Sequence, residues 1–151
     1  MSSVPPPSPS APELADVARS VIDANSYMAL GTADGAGNPW VSPVWFASED
    51  YRNFHWVSSP DAKHSRNLAA HPEVAIAIFD SSVPVGGAQA VYMKGVAKQL
   101  TGAELEFKAG PAGGRLRRPS SAGRTEWAAS RRSDVSPTGC KACRNPLQGR
   151  S

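Results

Sequence analysis

Ser58-Ser59-Pro60-Asp61-Ala62-Lys63-His64-Ser65-Arg66-Asn67-Leu68 is the stretch on which the fold turns. Before it stands an aromatic run, Phe54-His55-Trp56-Val57, and after it an apolar run, Val74-Ala75-Ile76-Ala77-Ile78-Phe79. The first reads as a strand that leaves through Ser58-Ser59. Pro60 suits the first position of a short helix capped by Ser59, since its fixed φ is already helical and its missing N–H is not needed there. The helix spans 60 to 71 and ends at His71-Pro72, because the residue before a proline disfavours helical angles. Two hydroxyls, the free N–H groups of a helix start and Lys63 would then converge on one point. Such a convergence suits a phosphate.

Working outward, Tyr27-Met28-Ala29-Leu30-Gly31-Thr32 predicts a first strand and Trp40-Val41-Ser42-Pro43-Val44-Trp45-Phe46 a second. Asp34-Gly35-Ala36-Gly37-Asn38 is the turn between them, with glycine where positive φ is needed. Pro43 cannot donate to a ladder, so it marks an edge, a bulge or a ligand contact. Glu49 to Asn53 turns the chain into the third strand, Phe54 to Val57. The fourth, Val74 to Phe79, is continuously apolar, a pattern expected of burial on both faces. Ser81 to Gly87 is a flexible loop, and Ala90-Val91-Tyr92-Met93-Lys94-Gly95-Val96-Ala97-Lys98 is the fifth strand.

Ahead of the strands, Leu14, Val17, Ala18, Val21 and Ile22 keep the spacing of one apolar helix face over Glu13 to Ala24. Residues 1 to 12, rich in proline and serine, read as disordered. Short strands with one helix before them and one between predict a mainly β protein, a small barrel with helical additions.

The formal charge of +3 on 151 residues conceals two unlike parts. Residues 107 to 151 hold 10 of the 16 Lys and Arg but 2 of the 13 acids, a balance of +8, which leaves 6 bases against 11 acids, −5, in residues 1 to 106. The basic character therefore describes the tail and does not make the folded part a nucleic-acid binder. A new helix begins near Gly102-Ala103-Glu104-Leu105-Glu106. The remainder, 107 to 151, has too few large apolar residues to offset its ordering entropy and reads as a disordered basic tail.

Its two cysteines, Cys140 and Cys143, have no second pair to complete a zinc site and no strand-to-helix setting for redox work. No apolar run approaches the ~20 residues of a membrane span, and the start lacks the regions of a secretory signal. The expectation is a cytoplasmic protein. Neither a nucleophile elbow nor a metal-ligand spacing stands out, as suits an enzyme whose cofactor carries the chemistry.

Several pieces in order then resemble a known family. They are Asn38-Pro39-Trp40-Val41-Ser42-Pro43-Val44-Trp45-Phe46, the Ser58 to Leu68 stretch, His71-Pro72-Glu73-Val74 and Gln89-Ala90-Val91-Tyr92-Met93-Lys94-Gly95-Val96-Ala97. Over residues 13 to 106 the chain is similar to the pyridoxamine 5'-phosphate oxidase-like flavin-binding split barrels. The resemblance implies a homodimer with FMN, or in some members a deazaflavin coenzyme, in a groove between subunits, acting on a small-molecule substrate. It implies a flavin ring against Pro43, Val44 and Trp45, a phosphate held by Ser58 or Ser59, Lys63, His64 and Asn67, and Gln89 near the ring.

Two departures accompany the resemblance. The chain lacks the C-terminal arginine and tryptophan motif with which true pyridoxamine phosphate oxidases grip substrate. It also lacks, on this reading, the closing helix and strand after Glu106, as a reading frame altered near that point would produce. Trp127 and Asp134-Val135 only faintly echo family positions.

Overall fold

The computed structural model describes residues 10–84, 87–100 and 125–131. Helix α1 runs Ala11–Ala24, two residues earlier than the spacing of apolar positions predicts. The earlier start has a local cause. The Ser10 backbone N–H donates to Glu13 Oε2 at 2.7 Å and the Ser10 hydroxyl donates to the same oxygen at 2.6 Å, so the cap lies at Ser10. Val21 and Ile22 are buried and Leu14, Val17 and Ala18 half-buried, as the apolar face requires.

Seven strands follow: β1 Tyr27–Ala33, β2 Pro39–Trp45, β3 Ala47–Glu49, β4 Asn53–Ser58, β5 Glu73–Phe79, β6 Ala90–Gln99 and β7 Thr125–Arg131, with α2, Lys63–Ala70, between β4 and β5. They form one antiparallel sheet in the order β2-β1-β5-β6-β7-β4-β3. The sheet curls into a half-barrel, the mainly β split barrel that the sequence predicts. The β1–β2 turn is closed by Asp34, whose Oδ1 accepts from the N–H of Ala36 at 3.0 Å and of Asn38 at 2.9 Å, and Gly37 supplies a φ of 85°.

Side chains alternate along every ladder, and the inward rows make the core. β1 contributes Met28, Leu30 and Thr32, β2 contributes Val44, β4 contributes Phe54 and Trp56, and β5 contributes Val74, Ile76 and Ile78, while Trp40, Ser42 and Ser58 continue the β2 and β4 rows toward solvent. Trp56 is 0% exposed and sits directly opposite Trp127 of β7. Gly95 of β6 lets β7 approach: a Cβ there would lie 2.9 Å from the Ser130 carbonyl oxygen.

Four expectations need correction. α2 begins at Lys63 with Ala62 as its cap residue, so Pro60 and Ser59 form a turn ahead of it; the Asp61 N–H donates to Ser59 Oγ at 3.3 Å and the Ala62 N–H to Ser59 O at 3.1 Å. The end at His71 is as read. β5 is not buried on both faces: Val74, Ile76 and Ile78 point inward, while Ala75 and Phe79 are exposed. A short strand, β3, joins the Glu49 to Asn53 region to the preceding segment, through a turn in which Asp50 and Tyr51 both take φ 53°.

The fourth correction concerns the tail. Thr125–Arg131 is a strand, paired with β6 on one side and β4 on the other, so this chain does contain a closing strand. It was hidden because, apart from Trp127, its buried positions are small. Ala129, 1% exposed, stands opposite Phe54 on one neighbour and Ala97 on the other. The rest of the 107 to 151 tail, residues 1 to 9 and the helix expected at 102 to 106 lie outside the described residues.

Candidate functional site

The ladder runs unbroken from β2 to β3, and β2 and β4 approach each other where the barrel is split. At that seam the inward rows change character. β1 ends its row with Thr32, β2 offers Ser42 and Trp40, and β4 ends with Ser58. Helix α2 lies over this polar end and meets it with polar side chains of its own: His64, Ser65 and Asn67 are all buried. Their spacing, i and i+3, places His64 and Asn67 on one helical face.

His64 spans the split. Its Nδ1 lies 3.0 Å from Ser42 Oγ of β2, and its Nε2 lies 2.7 Å from Ser58 Oγ of β4. The Trp40 indole N–H donates to Ser42 Oγ at 3.0 Å. His64 is 9% exposed, and burial pulls its pKa below the usual histidine value, which favours the neutral ring. Beside it, Asn67 donates through Nδ2 to Thr32 Oγ1 at 3.0 Å, and the Ser65 hydroxyl donates to Ser59 O at 2.8 Å. These bonds satisfy the polar groups that α2 buries.

Lys63 is exposed at the first position of α2, with Nζ 3.6 Å from Asp34 Oδ2. The Asp34 carboxyl is held down to about 2, first by the Asn38 side chain and then by backbone N–H groups, with Lys63 contributing least. The β1–β2 turn thus presents a fixed carboxylate to the lysine, across solvent that weakens the pair.

The residues read from the sequence divide between the two faces of β2. Pro43 and Trp45 point outward with Pro39 and Val41, whereas the Val44 side chain lies in the core, so any contact with a ligand there would be through its backbone. Tyr27, paired with Trp45, and Val41 are each 63% exposed, and Phe79 and Tyr92 extend this apolar outer face across β5 and β6. Ser58, Ser59, Lys63 and His64 gather at the seam. Asn67 is 2% exposed and engaged by Thr32. Gln89 is exposed just before Ala90, whose partner is Phe79, and so belongs to the Trp45 end of the sheet.

The reading missed Ser42, Trp40, Thr32 and Asp34. For Ser42 and Trp40 a signal was present. Both share the inward parity of Val44, and a serine at a core position of a strand needs a hydrogen-bond partner.

A profile of the pyridoxamine 5'-phosphate oxidase family matches residues 14–130. The chain belongs to that flavin-binding family. The match includes β7, in agreement with the closing strand. No curated protein matches. Among solved structures, a heme-binding protein of Mycobacterium smegmatis is 27% identical with a TM-score of 0.60, covering 81% of this chain and 51% of its own. An FAD-binding protein of Mesorhizobium loti is 18% identical (TM-score 0.59, 78% of this chain and 89% of that one). An F420 reductase is 20% identical (TM-score 0.56, 77% and 94%). Against the Mycobacterium smegmatis protein, then, this chain spans about half the length.

Proposed function

We propose that this protein is a cytoplasmic FMN-dependent oxidoreductase acting on a small organic substrate, and that its named family reaction is not its own. The observation that carries the reading is the polar seam: two adjacent serines, a buried histidine and a lysine at the start of α2 meet at the split, and the other face of β2 is apolar. The donor set fits a flavin phosphate. Hydroxyl and ammonium groups give hydrogen bonds to an anion without a buried carboxylate opposing it, and the outer row of Pro43 and Trp45 suits an aromatic ring. When bound, the flavin would supply hydride or single-electron transfer. The chain's part is to hold the phosphate end, to present an apolar wall to the ring and to keep water from it.

The exposed row of Tyr27, Val41, Phe79 and Tyr92 supports a homodimer, since a contiguous apolar face of this kind favours burial against a second copy. A deazaflavin coenzyme is the second reading, supported by the likeness to the F420 reductase. Purified protein should be yellow, dimeric by sedimentation, and release a cofactor whose mass separates FMN from a deazaflavin. Protein that is colourless and takes up neither, or that carries heme instead, would overturn the proposal.

A further inference from the structure

The hydrogen bonds around His64 have a direction, and the direction assigns a role. Trp40 Nε1 has only a hydrogen to give, so Ser42 Oγ accepts it. Neutral imidazole has one N–H and one lone pair, so the chain from Ser42 through His64 to Ser58 can run in two senses. In one, Nδ1 carries the hydrogen. Ser42 Oγ then accepts from Trp40 and from His64 at once through its two lone pairs, two donor lines meet head-on there without reinforcing each other, and the hydrogen left over is that of Ser42. In the other, the Ser42 hydroxyl donates to Nδ1 at 3.0 Å, Nε2–H donates to Ser58 Oγ at 2.7 Å, and the donors run in one unbroken line from the indole to Ser58. Each link strengthens the next, because an oxygen that accepts becomes a better donor. The line ends with the Ser58 hydrogen, which has no acceptor among the described residues.

We propose that His64 is a positioning residue, held as the Nε2–H tautomer by Trp40 and Ser42, which turns the Ser58 hydroxyl outward as a donor to the phosphate of the bound flavin. The phosphate rests on the flavin reading above; the tautomer does not. The same 2.7 Å contact would serve a serine nucleophile only in the opposite sense, with Ser58 donating to Nε2. In the sense that continues the line from the Trp40 indole, the pair is a binding device and not an acyl-transfer dyad. A buried, neutral histidine suits this, since it transmits direction without adding charge.

Two measurements test it. The chain has three histidines, so long-range nitrogen–proton NMR of ligand-free protein above neutral pH, assigned with His64→Gln, reads the tautomer directly. Nε2–H is expected; Nδ1–H, or turnover of an activated ester lost in Ser58→Ala, overturns the proposal. The second compares affinities for FMN and riboflavin. His64→Phe fills the space without the relay, and Ser42→Ala removes its orienter. Each should cut the preference for FMN over riboflavin about tenfold or more, with FMN losing more affinity than riboflavin. His64→Gln, which keeps an acceptor and a donor, should retain much of the preference. A preference untouched by His64→Phe overturns the role. Protein that binds neither flavin sinks the flavin reading, and the tautomer then decides the relay alone.

Discussion

The inward rows of this barrel end differently on its two sides. On the closed side, β5, β6, β7 and β4 are joined by continuous ladders over apolar residues, with Trp56 opposite Trp127 at the centre. At the split, β2 and β4 are joined through side chains: Ser42 to His64 to Ser58, with Asn67 to Thr32 beside them. Apolar burial is non-directional and rewards closure. Hydrogen bonds between side chains are directional, and can be exchanged for bonds to a ligand at little net cost. On the proposed function, the difference makes one side the scaffold and the other the place to bind. Changes on the closed side should cost stability, and changes at the split should cost binding more than stability.

The largest effect belongs to Trp127→Ala. It empties a site against Trp56 that is 5% exposed, and a buried tryptophan truncation costs about 3–5 kcal/mol. Denaturant unfolding should show that loss. A loss under ~1 kcal/mol would mean that β7 does not close the barrel in solution.

Asn67→Ala comes next. It leaves Thr32 with a bond of 3.5 Å to Trp40 O alone and frees a buried space under α2. The expected loss is about 1–3 kcal/mol, with FMN affinity little changed. A fall in affinity larger than the fall in stability would move Asn67 from the support of α2 to direct contact with the ligand.

Acid should act through His64. Its folded-state pKa lies below the ordinary 6.5, because burial penalises the charged ring. Below that ordinary value the unfolded chain binds a proton that the folded chain refuses, so stability falls as pH drops from about 6.5 and levels once the folded ring also titrates. Unfolding midpoints of the wild type and His64→Gln, compared across this window, check the sign. The slope due to this group should vanish in the variant.

How much of this was legible follows the same division. The apolar face of α1, the hairpin of β1 and β2, and β4 to β6 were readable because their large apolar residues recur at the period of the element that buries them. β7 was not, because beside the single Trp127 its buried residues are Ala128 and Ala129, and Ala129 carries little signal until Phe54 is known to lie opposite. The start of α2 was misplaced because Pro60 has the right φ for a helix and equally for the turn it occupies. At the candidate site, the nearness of Ser58, Lys63 and His64 was legible because they lie within one short stretch. Ser42 lies 22 residues from His64, and no local pattern could link them.

Trp40→Phe is the smallest change and bears most directly on the comparison. It keeps an aromatic ring at a half-exposed position and removes one donor, the indole N–H on Ser42 Oγ. A neutral hydrogen bond of this kind is worth about 0.5–1.5 kcal/mol, and exposure to water puts the stability loss at the low end. Directional consequences should outlast that small cost. Without the indole, Ser42 is no longer committed as acceptor on that side, and His64 is free to populate both tautomers. Stability near that of the wild type with a mixed tautomer signal would place the direction of the seam at the edge strand. A single unchanged tautomer would place it instead at Ser58, with the strand contributing only shape.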